Sequence, residues 1–103
     1  MAVFDGISGI TRKVYSASGD ATLVAASSGK KIRILALVAY AAGGTTTFET
    51  SGGAAILGPV SATTPVVLPF MASGWAETVA GEALNLDPSG SDQNDGVVIY
   101  TYV

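Results

Sequence analysis

The chain is organised around one stretch, residues 30–41, which is its longest run able to form a strand buried on both faces. Its two alternating faces hold Ile32, Ile34, Ala36, Val38 and Tyr40 on one side and Lys31, Arg33, Leu35, Leu37 and Ala39 on the other. The first face is apolar throughout, and the second is apolar from Leu35 onward. We therefore predict a central strand that enters from solvent and then runs beneath a second layer. A buried helix is the alternative, but β-branched residues and glycine-containing flanks favour the strand.

Other short apolar or β-branched runs recur about every 8–12 residues, separated by turns rich in Gly, Ser and Pro. The predicted strands are 12–16, 21–26, 30–41, 45–50, 54–58, 64–70, 75–79, 82–86 and 97–103. Pro59 predicts the end of one strand, and the prolines that flank 64–70 predict an edge strand. No run of ten residues has a helical pattern. The fold class is therefore all-β, a single-domain antiparallel β-sandwich of about eight short strands.

A length of 103 residues allows one hydrophobic core and is too short for two. We assign residues 12–103 to the sandwich domain. Residues 1–11 form either an N-terminal arm that lies on another subunit or a first edge strand, because Val3, Phe4 and Ile7 are interrupted by Gly6 and Gly9.

Charged residues make up only 13% of the chain, about half the usual ~25% of a soluble domain. Much of the surface must then consist of Ser, Thr, Gly and Ala, which pack easily against a neighbour. This composition indicates a protein that works inside an assembly, with a Ser/Thr-rich monomer as the alternative.

The charges are also unevenly placed along the chain. All five basic residues lie in the first third, whereas six of the eight acids come later: Arg12, Lys13, Lys30, Lys31 and Arg33 against Glu49, Glu77, Glu82, Asp87, Asp92 and Asp95. If the fold separates the two groups, complementary patches could guide head-to-tail or partner contacts. If it does not, they are surface pairs worth about 0–1 kcal/mol each. A net charge of −3 without a long basic run argues against nucleic acid as a partner.

The sequence carries no recognisable catalytic or cofactor motif. It has no histidine, the commonest general base, and no cysteine for a disulfide or a thiolate metal site. We expect no enzymatic activity and no cofactor. The N-terminus lacks a signal-peptide pattern and the apolar run near residue 37 is too short to span a bilayer, so we expect synthesis in a cytoplasm and no membrane contact.

Three features leave a functional alternative open beside a structural one. Glu77 and Glu82 could converge as a carboxylate pair for glycoside chemistry, although two solvated loop acids fit better. The polar segment 87–96 holds three carboxylates that could wrap calcium, but Gly96 stands where a ligand should be, which favours a solvated hairpin loop. Trp75 packs in the core or anchors an interface.

Several segments together resemble one protein family. They are Ala21-Thr22-Leu23-Val24, the run from Ser28 to Leu37, Leu68-Pro69-Phe70, Gly74-Trp75-Ala76-Glu77-Thr78, the run from Ala80 to Leu86, and Gly96-Val97-Val98-Ile99-Tyr100. In this order they resemble small all-β structural proteins of tailed bacteriophage virions, over most of residues 15–103. None of these motifs is catalytic.

The resemblance implies a jelly-roll-like sandwich that serves as a capsid decoration (cement) protein. Such a protein is made in the host cytoplasm, binds the outside of the major capsid protein lattice as a homotrimer, and ties capsomers together. Its expected contacts with the capsid are the arm and a basic group meeting an acidic face: Val3, Phe4, Ile7, Arg12, Lys13, Lys30 and Lys31, with Trp75 as an anchor. A phage tail, fibre or baseplate module, which could bind a host glycan, and a free cellular enzyme or binding domain are the alternatives.

Overall fold

The structure is a computed structural model that describes residues 9–103, and within these residues it has nine strands and no helix. The strands are β1 (Ile10–Ala17), β2 (Ala21–Val24), β3 (Ile32–Ala41), β4 (Thr45–Thr50), β5 (Ala55–Ser61), β6 (Val66–Leu68), β7 (Ala76–Glu77), β8 (Leu84–Pro88) and β9 (Asn94–Tyr102). Every strand pairing is antiparallel. The predicted all-β class is confirmed.

The strands form two sheets that pack face to face. Sheet A has the order β1-β9-β3-β6, with the short β7 also pairing with β3, and sheet B has the order β2-β8-β4-β5. Counting β6 and β7 as two pieces of one edge gives eight strand positions, four in each sheet. The chain crosses repeatedly between the sheets, as in a jelly-roll-like sandwich.

The core lies between the sheets and combines side chains from both. Ile32, Ile34 and Val98 of sheet A face Phe48, Leu84 and Leu86 of sheet B. At one side of this core Tyr15 packs edge-on against Phe48, with ring centroids 6.3 Å apart. Burial, followed by the nearby charge of Asp95, raises the pKa of Tyr15 to about 12.

The face assignment predicted for β3 is wrong beyond Ile34. The register between β3 and β9 shifts between Ile34 and Ala36, so one residue, Leu35, is inserted as a bulge. The insertion reverses the alternation: Ile32 and Ile34 share the core with Leu37, Ala39 and Ala41, while Ala36, Val38 and Tyr40 face outward. Val38 and Tyr40 are exposed, so no second layer within residues 9–103 covers this part of β3.

Two strand boundaries also differ from the prediction. Strand β5 does not stop at Pro59 but continues to Ser61, which its position at the edge of sheet B permits because an edge strand needs no donor on its outer side. Strand β9 begins at Asn94, three residues early, so the polar loop before it is shorter than expected. The predicted edge position of the strand within 64–70 is confirmed, since β6 pairs with β3 alone.

The predicted N-terminal arm, residues 1–11, falls mostly outside the described residues. Its last two residues, Ile10 and Thr11, belong to β1 and pair with β9. Val3, Phe4 and Ile7 lie outside the described part of the chain.

Candidate interaction surfaces

The two acids considered as a glycosidase pair are engaged separately. Glu77 Oε2 accepts a hydrogen bond from Arg33 Nε at 2.6 Å, and Lys31 Nζ lies 3.9 Å from its other oxygen. Glu82 Oε1 accepts hydrogen bonds from the Thr50 hydroxyl and from the backbone N–H of Gly52, both at 2.7 Å. Each glutamate therefore ties two strands or turns together, and the structure does not bring them into one site.

The three acids of segment 87–96 point to three different places. Asp87 interacts with Asp20 and Glu49 on the outer face of sheet B. Asp92 lies against Gly43 in the turn between β3 and β4, and Asp95 accepts a hydrogen bond from Gln93 at 3.0 Å. No group of three or more His, Cys, Asp or Glu side chains in residues 9–103 is placed to hold a metal ion. The calcium alternative has no structural support in this segment.

A cluster of three carboxylates on the outer face of sheet B was not identified from the sequence. Asp20 precedes β2, Glu49 is on β4 and Asp87 is on β8, and strand pairing brings them together over separations of up to 67 positions in the chain. A hydrogen bond to Asp87 and its charge raise the pKa of Asp20. Desolvation, with the charges of Asp87 and Asp20, raises the pKa of Glu49. The cluster makes this face acidic.

The four basic residues predicted to bind a partner do not form one patch. Arg12 and Lys13 lie on β1, at one edge of sheet A, whereas Lys30 and Lys31 lie in the turn that leads into β3. Strand and residue spacings place the Cα atoms of Arg12 and Lys31 roughly 17 Å apart. All four side chains are exposed. Lys30 and Lys31 lie instead beside the segment that follows Trp75, since Lys31 shares Glu77 with Arg33 and the carbonyl of Lys30 accepts a hydrogen bond from the backbone N–H of Gly81.

Trp75 lies in the connection between β6 and β7, which we call the aromatic loop (residues 69–75). Its indole Nε1 donates a hydrogen bond to the carbonyl of Pro69 at 2.8 Å, and backbone bonds from Met71 and Trp75 to Leu35 and Ile34 fasten the loop along β3. Trp75 is nevertheless 39% exposed, and Phe70 and Met71 are also exposed. Trp75 is therefore exposed and not part of the core, and its role as an interface anchor stays a prediction.

A second apolar surface covers the outside of sheet A. Four valines, one on each of the four main strands, form a continuous row across the sheet: Val14, Val97, Val38 and Val67. Val14 and Val67 are more than 60% exposed. We call the outer surface around this row the valine face.

An apolar cavity of about 90 Å³ opens between the two sheets, where the edge strands β5 and β6 leave the sandwich unclosed. Its walls are Leu37, Ala39, Phe48, Leu57, Gly58, Val60, Val66 and Leu68. No polar side chain of the described residues lines it, so it has no means of orienting a polar ligand.

Comparison with protein-family models, with curated proteins and with solved structures gave no significant match. No helix capable of crossing a membrane occurs between residues 9 and 103.

Proposed function

We propose that the chain is a structural protein of a bacteriophage particle, a capsid decoration protein that binds the outside of the major capsid lattice. The observation that carries the proposal is the aromatic loop, which holds Phe70, Met71 and Trp75 exposed on a fastened backbone. Large, rigid, partly exposed aromatic side chains are the commonest anchors of protein interfaces. The sparse charge of the chain and the jelly-roll-like sandwich, an architecture common among capsid proteins, support the same function.

The basic end of the sandwich adds an electrostatic component to this surface. Lys30 and Lys31 are exposed beside residues 77–81, the segment that follows the aromatic loop, and of the two only Lys31 has a carboxylate within 4 Å among residues 9–103. An acidic capsid surface would meet the lysines while the aromatic side chains become buried. Each contact would be small, but many copies bound across capsomer boundaries would stabilise the assembled shell by mass action.

The proposal is tested first by the abundance of the chain in particles of the phage that encodes it. We expect quantitative mass spectrometry of purified particles to give a copy number comparable with that of the major capsid protein. A small fraction of that number would identify a tail or single-vertex component, and absence from the particle would overturn a virion function altogether.

The surface itself is tested by replacing Trp75 with alanine. We expect Trp75→Ala to weaken binding to undecorated particles about 30-fold, because an interface anchor is typically worth about 2 kcal/mol. Thr22→Ala, at an exposed site on β2 in the other sheet, is the control and should bind normally. Circular dichroism and thermal unfolding check that both variants fold. Equal binding by the two folded variants would remove the aromatic loop from the interface.

A further inference from the structure

The valine face has a regular arrangement of side chains on either side of its central row. Val14 pairs with Val97, Val97 with Val38, and Val38 with Val67, so the row crosses β1, β9, β3 and β6 without interruption. Among residues 9–103, Val14, Val38 and Val67 of this row are exposed. Such a stripe of exposed β-branched side chains is unusual for a monomer, because it favours contact with another apolar surface.

The two rows that flank the valines differ in charge and size. On one side, Arg12 of β1 is level with Ala36 of β3, with the buried Ile99 between them. On the other side, Ser16 of β1, Asp95 of β9 and Tyr40 of β3 are level with one another. One flank thus carries a cation and a small residue, and the other carries an anion and a large residue.

Consider a two-fold axis that runs parallel to the valine row, midway between two sheets packed face to face. Rotation about this axis places each flank of one copy over the opposite flank of the other copy. When a second copy is placed face to face, its valines lie over the same row, its Arg12 lies over Ser16 beside Asp95, and its Ala36 lies over Tyr40. Each contact occurs twice, because a two-fold interface is self-complementary. From this match of charge and size we infer that the valine face binds a second copy of this chain and forms a two-fold dimer by sheet-on-sheet packing.

The charges on the face are available for such a contact. Arg12 forms no ion pair with any of the described residues, and it stands on the exposed edge strand. Asp95 accepts a hydrogen bond from Gln93 but has no cation within 4 Å among residues 9–103. Sheets that pack about 10 Å apart leave an arginine within reach of an aspartate on the facing sheet.

The size of the face fits a dimer of moderate affinity. Four strands about 4.8 Å apart, which average about seven residues because β6 is short, give roughly 450 Å² of flat area per chain, or on the order of 1,000 Å² for the pair. That area is at the lower limit for a specific interface. The dimer should therefore form in the micromolar range and dissociate on dilution.

The inference is tested by sedimentation velocity of the full chain over a range of concentrations. We expect a reversible change from the monomer to a species of twice 10.3 kDa. Val38→Lys should leave the chain monomeric, since it places two lysines at the centre of the apolar contact. Val79→Lys, with similar exposure but away from the valine face, should dimerise as the wild type does. Thermal unfolding of both variants checks their fold.

A charge exchange tests the two-fold geometry. Arg12→Glu and Asp95→Arg should each weaken the dimer about tenfold, and the double variant should restore it, because the exchanged charges again face each other across the interface. A chain that stays monomeric at all concentrations, a trimer, or single variants whose effects add without restoration would each overturn the inference. If the chain stays monomeric and Val38 is protected from solvent, residues 1–8 of the same chain would be the segment that covers the valine face, and the inference would be overturned.

This inference does not rest on capsid binding. Dimerisation is measured with the isolated chain, whereas capsid binding is measured by the copy number in particles and by the Trp75 variant. The resemblance to decoration proteins implies a trimer, so the sedimentation result also distinguishes a two-fold from a three-fold assembly.

Discussion

The three carboxylates on the outer face of sheet B, Asp20, Glu49 and Asp87, oppose the folded state at neutral pH. The pKa values of Asp20 and Glu49 are raised above their ordinary values of 3.8 and 4.5, so the folded chain binds protons more tightly than the unfolded chain at these sites. Asp20 and Glu49 therefore contribute most favourably to stability at pH values below their ordinary pKa values. This contribution is lost as the pH rises through their raised pKa values in the folded chain.

Asp87 contributes to both pKa shifts, as the largest cause at Asp20 and after desolvation at Glu49, which allows a specific test. We expect Asp87→Asn to raise the melting temperature at pH 7 and to leave it nearly unchanged at pH 3, where the raised pKa values of Asp20 and Glu49 keep these two carboxyls largely protonated in the wild type. The gain should shrink in high salt because the cluster is exposed to solvent. Thermal unfolding of the variant and the wild type at both pH values measures the difference. Asp95 has a lowered pKa and contributes to stability in the opposite direction, but its contribution cancels because both chains contain it. An equal gain at pH 3 would show that charge repulsion is not the cause.

At the scale of the secondary-structure element, the bulge in β3 decides which residues the sheet buries. Leu37 is 3% exposed and its neighbour Val38 is 43% exposed, although uninterrupted alternation from Ile34 would bury Val38. The same bulge places Val38 and Tyr40 on the valine face. The outer surface of sheet A therefore depends on one inserted residue, Leu35.

Threonine substitutions at these two neighbouring positions test the bulge. We expect Leu37→Thr to lower the free energy of unfolding by about 2–5 kcal/mol, since it removes buried carbon atoms and buries a hydroxyl. Val38→Thr keeps the β-branched shape on an exposed face and should change it by less than about 0.5 kcal/mol. Urea denaturation at a concentration where the chain is monomeric measures both. The reverse order of effects would mean that β3 is not bulged at Leu35.

Local sequence patterns predicted the bounds of the strands better than they predicted which side chains of each strand are buried. Strand β4 was predicted with its observed bounds, because β-branched residues fill it and glycine pairs flank it. The bulge was missed because both faces of 30–41 are apolar after Leu35, so no polar residue marks the change of parity.

The surfaces were predicted only in part, for a related reason. Trp75 was considered as an interface anchor from its residue type alone, and the structure places it in an exposed loop. The carboxylate cluster and the valine row were not predicted, because their members come from three and four segments that are distant in the sequence. Only the pairing of strands distant in sequence brings them together, and no local pattern encodes that pairing.

At the scale of the whole molecule, the path of the chain makes each sheet depend on the other. The first four strands alternate between the sheets, and the two central strands of sheet A, β3 and β9, are separated by more than fifty residues that include most of sheet B. Neither sheet has a second apolar layer other than its partner among the described residues. Neither should therefore be stable alone.

This dependence predicts that the two sheets unfold together. We expect the backbone amides of Val98 in β9 and Leu86 in β8, which lie in different sheets, to exchange hydrogen with opening free energies that agree within about 1 kcal/mol and equal the global free energy of unfolding. Amides of the three-residue edge strand β6 should exchange much earlier, because β6 pairs on one side only. Native-state hydrogen exchange by NMR measures all three regions in one sample. The contradicting result would be that the amides of one sheet stay protected at denaturant concentrations where those of the other sheet have already exchanged. The sandwich would then contain two separable units, and the shared core that includes Phe48 and Val98 would not be what stabilises it.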